Sequence, residues 1–312
     1  MNDSKMLTEG ALLTVVYSIL LVIALFFPLI GIVVFFVLPV PFIMFASRYG
    51  WKPSLLMGAA AILVSMLIAT SVTLPVTVFV GIGGIAAGVA IYKGLSSYES
   101  WAVGTIGFAV GLVLVYAFIQ TVLNINIVGT IEASINQSLE MMESLGVPSY
   151  MSGEMYQNFT EQFAVIKDLI PAVIVIMAIL FAFINVWVSF KIKNRIESTT
   201  LYFPPFHSFN LPVSVIWIYF MALIITFFDI DQDSFLFVGV ANVIVLATLL
   251  LTIQGFSLIF CIAHIKKWPK AIPIISIVLG FIIPGLIYLI QMLGIIDLGF
   301  SVKHRLSGKK KS

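Results

Sequence analysis

An all-α, polytopic transmembrane helix bundle of about eight or nine spans is the fold class this sequence predicts, and three observations predict it. Of the 312 residues, 61% are hydrophobic and only 10% charged, against about 45–50% and about 25% in an ordinary soluble domain. Too little charge remains to coat a water-facing surface. Mean hydropathy is +1.15. The apolar residues also gather into nine runs, 8–27, 29–46, 54–70, 73–92, 101–123, 169–190, 211–228, 235–263 and 272–296, each near or above the roughly 20 residues that cross about 30 Å of hydrocarbon. The lipid bilayer is thus the first partner. A net charge of +2 argues against nucleic acid. The single cysteine, Cys261, excludes an intramolecular disulfide or a thiol-rich metal site.

The first run reads as a retained span: Asp3 and Glu9 stand against Lys5, and Ala24-Leu25-Phe26-Phe27 offers no small-residue cleavage pattern. Short basic loops favour the cytoplasm. Arg48 and Lys52 follow the second run, Lys93 the fourth, Lys191, Lys193 and Arg195 the sixth, and Lys266, Lys267 and Lys270 the eighth. Acidic residues gather at the opposite ends, Glu132, Glu140, Glu143, Glu154, Glu161 and Asp168 after the fifth run and Asp229, Asp231 and Asp233 after the seventh. A multi-pass cell-membrane protein with a cytoplasmic N-terminus fits both sets.

The ninth run breaks the alternation. A single crossing leaves Lys303, Arg305, Lys309, Lys310 and Lys311 outside. Pro284 and Gly285 divide the run into halves of about 18 Å, each too short to span, so a re-entrant hairpin with a cytoplasmic basic tail is the competing geometry. A third arrangement has 8–46 crossing once, with the N-terminus outside.

Two loops carry content. The outer loop 125–168 shows apolar residues at three- and four-residue spacing, Val128, Ile131, Ile135, Leu139 and Met142, then Met155, Phe159, Phe163 and Ile166. That predicts two amphipathic helices joined at Gly146-Val147-Pro148, either a lid over the bundle or helices lying on the membrane surface. The cytoplasmic strap 191–210 leads into Pro204, Pro205, Phe206 and Pro212, whose prolines fix φ and remove donors. It either docks a partner or anchors the next helix. The domain reading is a six-helix bundle over 1–190, the strap, and further membrane helices with a basic tail over 211–312.

Ionisable groups lie only at span ends, as Glu9, Asp229 and His264 do, which disfavours a proton relay through membrane carboxylates. Ser65, Gln120, Asn185, Asn242, Gln254 and Gln291 suit interhelical hydrogen bonds or a polar solute. Small residues recur at helical spacing as Gly10, Thr14 and Ser18, as Gly84 and Gly88, and as Gly104, Gly107 and Gly111. Such faces serve tight packing or docking of another membrane subunit. No HExxH, GxSxG or phosphate-loop pattern is present, so no catalytic residue, metal site or cofactor is expected.

Leu7-Thr8-Glu9-Gly10-Ala11-Leu12, Pro28-Leu29-Ile30-Gly31, Leu38-Pro39-Val40-Pro41-Phe42, the 201–212 strap and Gly294-Ile295-Ile296-Asp297 together resemble the YybS-like multi-pass membrane proteins of Gram-positive bacteria, which carry a domain of unknown function. In the strap the family is expected to have basic residues and a tryptophan where this chain has His207, Phe209 and Asn210. The resemblance implies a distant kinship with the S components of energy-coupling factor transporters, six-span proteins that bind solutes and meet a scaffold with ATPases. The first six runs correspond to that unit; the last three have no counterpart there. It also implies a membrane cyclic-di-AMP phosphodiesterase as a neighbour. The expected function is non-enzymatic binding or movement of a small solute. The alternative is a membrane scaffold in envelope, sporulation or cyclic-di-AMP-linked work.

Overall fold

The computed structural model describes residues 3–145, 162–163, 165–228, 230–231 and 234–306. Among them there is no strand, and seven helices are long and apolar enough to cross a membrane. The chain divides into two compact units, Met1–Phe203 and Pro204–Ser312.

The first unit contains α1 (Asp3–Phe26), α2 (Pro28–Phe35), α3 (Val40–Tyr49), α4 (Trp51–Tyr92), α5 (Ser97–Thr121), α6 (Ile127–Ser144) and α7 (Ile170–Glu197). Phe27 leaves the helical region and Pro28 opens the next helix, where a missing N–H costs nothing, so α1 reverses tightly into α2. The span Pro28–Tyr49 is made of α2 and α3 with a turn between them. Drawn straight, α4 would measure about 63 Å. Instead Thr73 Oγ1 donates to Ser65 O at 2.9 Å, and a Cβ on Gly50 would lie 3.3 Å from the ring of Tyr92. The helix is therefore a hairpin whose arms, Trp51–Ile68 and Thr73–Tyr92, are separate spans. Ser96 and Glu99 close a capping box that starts α5, four residues earlier than hydropathy alone places it. Six of the seven candidate spans belong to this unit.

Its core is aromatic. Phe181 of α7 lies 4.8 Å from Phe36, 5.2 Å from Phe79 and 6.1 Å from Phe108, in edge-on and offset geometries that add to burial. Tyr17 is fully buried and donates to Thr77 Oγ1 at 2.8 Å. The described part of the outer loop holds α6 and, toward its end, helical residues at 162–163 and 165–168. The predicted apolar stripes are uncovered at Ile131 of α6 and at Ile166 near the end of the loop, 41% and 57% exposed. The join at Gly146-Val147-Pro148, with Met155 and Phe159 of the second amphipathic helix, lies outside the described residues.

The second unit holds a 3₁₀ turn (Phe206–Ser208), α8 (Ser214–Ile225), α9 (Phe235–Ile265), α10 (Ala271–Ile282), α11 (Pro284–Phe300) and α12 (Val302–Leu306). The expected span at 211–228 shrinks to the 12 residues of α8, about 18 Å, because Leu211 and Pro212 remain in the extended strap. The run 272–296 does not cross as one straight helix. Ile283 is extended and Pro284 cannot continue the ladder. A Cβ on Gly280 of α10 would meet Ile290 of α11 at 2.9 Å, so the two helices fold back as a hairpin. At its tip two backbone bonds are kept, Ile283 N–H to Leu279 O at 2.8 Å and Leu286 N–H to Ile283 O at 3.0 Å.

Candidate functional site

Helix ends in the first unit converge on one ionic cluster. Arg48 of α3 donates through Nη1 to Glu9 Oε2 of α1 at 2.9 Å and through Nε to Glu197 Oε1 of α7 at 2.6 Å. Lys193 pairs with Glu197 Oε2 at 2.9 Å and donates to Ser47 Oγ at 3.0 Å. Ser97 Oγ donates to Tyr202 O at 2.6 Å. The starts of α1, α4 and α5 and the ends of α3, α4 and α7 thus share one end of the unit. Glu9, Arg48 and Glu197 are each about a quarter exposed, so the individual pairs are worth about 0–1 kcal/mol; their effect is to fix three helix ends together.

From this cluster a polar stripe runs inward along α7. Lys193, Ser189 and Asn185 are four residues apart, one face of a helix, and all three are buried. Asn185 Nδ2 donates to Phe181 O at 2.8 Å. Among the described residues, Asn185 Oδ1 and Ser189 Oγ are buried without a hydrogen-bond partner, an arrangement that costs about 1–3 kcal/mol per group.

The small-residue faces are occupied by neighbours in the same unit. A Cβ on Gly84 would lie 2.8 Å from Pro39 O, on Gly88 2.7 Å from Ile43 O, on Gly104 3.1 Å from Ala87 Cβ, on Gly107 2.5 Å from Ala86 Cβ and on Gly111 3.1 Å from the Phe79 backbone. Gly10 faces the Phe45 ring, and Thr14 Oγ1 donates to Gly10 O at 2.8 Å. Of the residues singled out, Thr14 and Ser18 border an open groove, beside Val64 and Ile68.

The strap begins later than the expected residue 191, because α7 continues to Glu197 and stops where Ser198 turns left-handed at φ 54°. Asn194 closes that end: Oδ1 accepts from Leu201 N–H at 2.9 Å and Nδ2 donates to Leu201 O at 2.7 Å. Phe203 packs with Tyr98, Phe183 and Phe190. From Pro204 onward the strap belongs to the second unit.

There it lies on a network that hydropathy does not disclose. Lys303 Nζ donates to Phe209 O at 2.7 Å and Ser257 Oγ at 2.8 Å and pairs with Asp297 Oδ2 at 3.2 Å. Gln254 Nε2 donates to Asp297 Oδ2 at 2.6 Å and Asn210 Oδ1 at 3.0 Å, while its Oε1 accepts from Leu211 N–H at 3.0 Å. Ser257 Oγ donates to Phe206 O at 2.7 Å, and Asp297 Oδ1 accepts from Lys303 N–H at 3.0 Å. Asp297 is 2% exposed and Lys303 8%. All three ammonium protons have acceptors, the condition under which a buried charge is tolerable. Burial lowers the Lys303 pKa even with Asp297 opposing it. Gln254 was legible as a polar residue in a span, but Asp297 and Lys303 stood at opposite sides of a helix end, and nothing in the spacing joined them to the strap.

The strap's other side borders a cleft of about 620 Å³ lined by Phe206, His207, Phe260, His264, Lys267 and Lys270 among others. The His207 and His264 rings stack 4.2 Å apart at 9°. Burial first, then His264 and Lys303, depresses the His207 pKa. Among the described residues, no group of three or more His, Cys, Asp or Glu is placed to hold a metal.

Comparison with known proteins agrees with this architecture at the level of the family. The family described as "Predicted membrane protein (DUF2232)" matches residues 15–298. The "Uncharacterized protein YybS" of Bacillus subtilis (strain 168) is 27% identical over 308 residues, covering 98% of this chain and 99% of that relative. No solved structure matches. With nearly the whole chain matched and a helical, multi-span fold, the protein belongs to the DUF2232 family of integral membrane proteins.

Proposed function

We propose that the protein is a non-enzymatic membrane component whose first unit binds, or helps to move, a small polar solute in the manner of an S component. The observation that carries this reading is the pair of unpartnered buried oxygens, Asn185 Oδ1 and Ser189 Oγ, near the middle of α7. An amide oxygen that accepts and a hydroxyl that both accepts and donates, set among apolar helices, are complementary to a small polar guest with at least one N–H or O–H donor. Six spans with both ends on one face also fit an S-component body. On the positive-inside rule that face, with Arg48, Lys193 and the N-terminus, is cytoplasmic. Motion would come from an energy-coupling scaffold with its ATPases.

The test is affinity purification in mild detergent, with mass spectrometry of the extracted small molecules and of co-purifying proteins. The reading predicts one stoichiometric solute that is lost from Asn185→Leu. An identical small-molecule profile from the wild type and Asn185→Leu rejects it.

A second reading, a membrane scaffold, is favoured by the rigid seating of Pro204–Pro212 on Gln254, Ser257 and Lys303. Its partner would be a membrane phosphodiesterase or an envelope protein. It predicts that replacing Pro204 and Pro205 abolishes co-purification of that partner and leaves the solute profile unchanged.

A further inference from the structure

The cleft beside the stacked histidines in the second unit has a composition that neither reading uses. Its rim is cationic: Lys267 and Lys270 lie on it with His207 and His264. Lys267 holds a left-handed conformation at φ 54°, and Trp268 N–H closes the end of α9 on Ala263 O at 2.8 Å. That turn fixes the direction in which the loop leaves, and Lys266 Nζ sits 5.2 Å above the Trp268 ring. The walls are apolar, with Phe206 edge-on to Phe260 at 5.2 Å and with Pro273 and Ile274 of α10 opposite.

The counter-charge is elsewhere. The acidic residues of the second unit are Asp229, Asp231, Asp233 and Asp297. Among the described residues no acidic side chain lines the cleft, and Asp231 precedes the opposite end of α9, 31 residues long, or about 46 Å. Asp297 is committed to Lys303. A cationic rim over an apolar wall is complementary to one molecule that carries both an anion and hydrocarbon. A bare anion leaves the aromatic walls unused, and a zwitterionic lipid brings its own cation into the rim.

We propose that this cleft binds an anionic phospholipid, with the headgroup phosphate among His207, His264, Lys267 and Lys270 and an acyl chain along Phe260, Pro273 and Ile274. The interfacial Trp268 sits at the level such a headgroup occupies. The site lies wholly in the second unit, so it stands or falls independently of the solute reading.

The full-length protein in mild detergent tests it by thermal unfolding with added phosphatidylglycerol, phosphatidylcholine or inorganic phosphate. Phosphatidylglycerol raises the Tm saturably, and the other two do not. Removing two headgroup-level lysines with Lys267→Ala/Lys270→Ala weakens phosphatidylglycerol binding about thirtyfold. Both side chains are exposed, so the lipid-free Tm stays within a degree or two of wild type. Brominated phosphatidylglycerol provides a second readout that does not depend on stability: it quenches wild-type tryptophan fluorescence more than that of Trp268→Phe. Equal shifts with phosphatidylcholine, a full shift with phosphate alone, or unchanged affinity in the double lysine variant each overturn the assignment.

Discussion

At the scale of single residues, the second unit depends on the match between one acid and one base. Asp297→Ala leaves Lys303 buried and uncompensated, and breaking a buried pair in this way costs about 3–5 kcal/mol. The paired change Asp297→Leu/Lys303→Met removes both charges and costs markedly less. Unfolding titrations in mixed micelles measure the difference, and equal losses in the two variants would falsify the coupling. His207 gives a pH signature. Its pKa is depressed by burial, His264 and Lys303, and the other charged groups facing the cleft are Lys267 and Lys270. The unfolded chain therefore binds the proton more readily. Stability is full above the ordinary histidine value of about 6.5, falls as pH drops through the lowered folded value, and levels off below it. His207→Phe removes that slope in a Tm-versus-pH series. Because a bound anion favours the protonated ring, phosphatidylglycerol binding tightens over the same descent.

Among the helices, the contact between α9 and α11 is the most demanding. A Cβ on Gly255 would overlap the Ile290 carbonyl, and one on Gly294 the Leu251 carbonyl. Backbone approaches backbone there, and only glycine permits it. Gly255→Leu is expected to cost at least the roughly 1–3 kcal/mol of an overpacked core, and to lower the yield of folded protein in detergent. A Cβ on Gly239 of the same helix meets nothing within 4 Å, and the elution of Gly239→Leu on size-exclusion chromatography is expected to stay that of wild type. The sequence singled out Gly84, Gly88, Gly107 and Gly111 by their spacing but did not mark Gly255 or Gly294 as packing residues. Spacing within one helix reveals a smooth face, whereas a crossing is made by single glycines on two helices and depends on their register. Hydropathy likewise located α9 well but overran α8. It has no term for the strap's prolines, or for Gln254 holding Leu211 extended.

Across the whole molecule, apolar runs and basic loops made much of the bundle legible, and the structure supplies the reversals. The α4 hairpin returns the chain to the side of Gly50, and the α10–α11 hairpin places Lys303 beside Ser257. What the sequence withheld was long-range pairing: Arg48 with Glu197, and the strap with Lys303, are meetings of distant residues that no local period encodes. Side-of-membrane labelling checks the first unit. On a Cys261→Ala background, single cysteines at Ser96 and Ser198 react with an impermeant maleimide from the same side of oriented vesicles, and Asn126→Cys reacts from the other. Opposite labelling of Ser96 and Ser198 would mean an odd number of crossings between them.

The lock on the strap also bears on how the protein is made. Residues 204–211 leave the ribosome about ninety positions before Lys303, yet Phe209 O accepts from that lysine, and Leu211 N–H bonds to a Gln254 that is itself held by Asp297. Until synthesis has passed Lys303, Asp297 lacks its cation and Ser257 its ammonium donor.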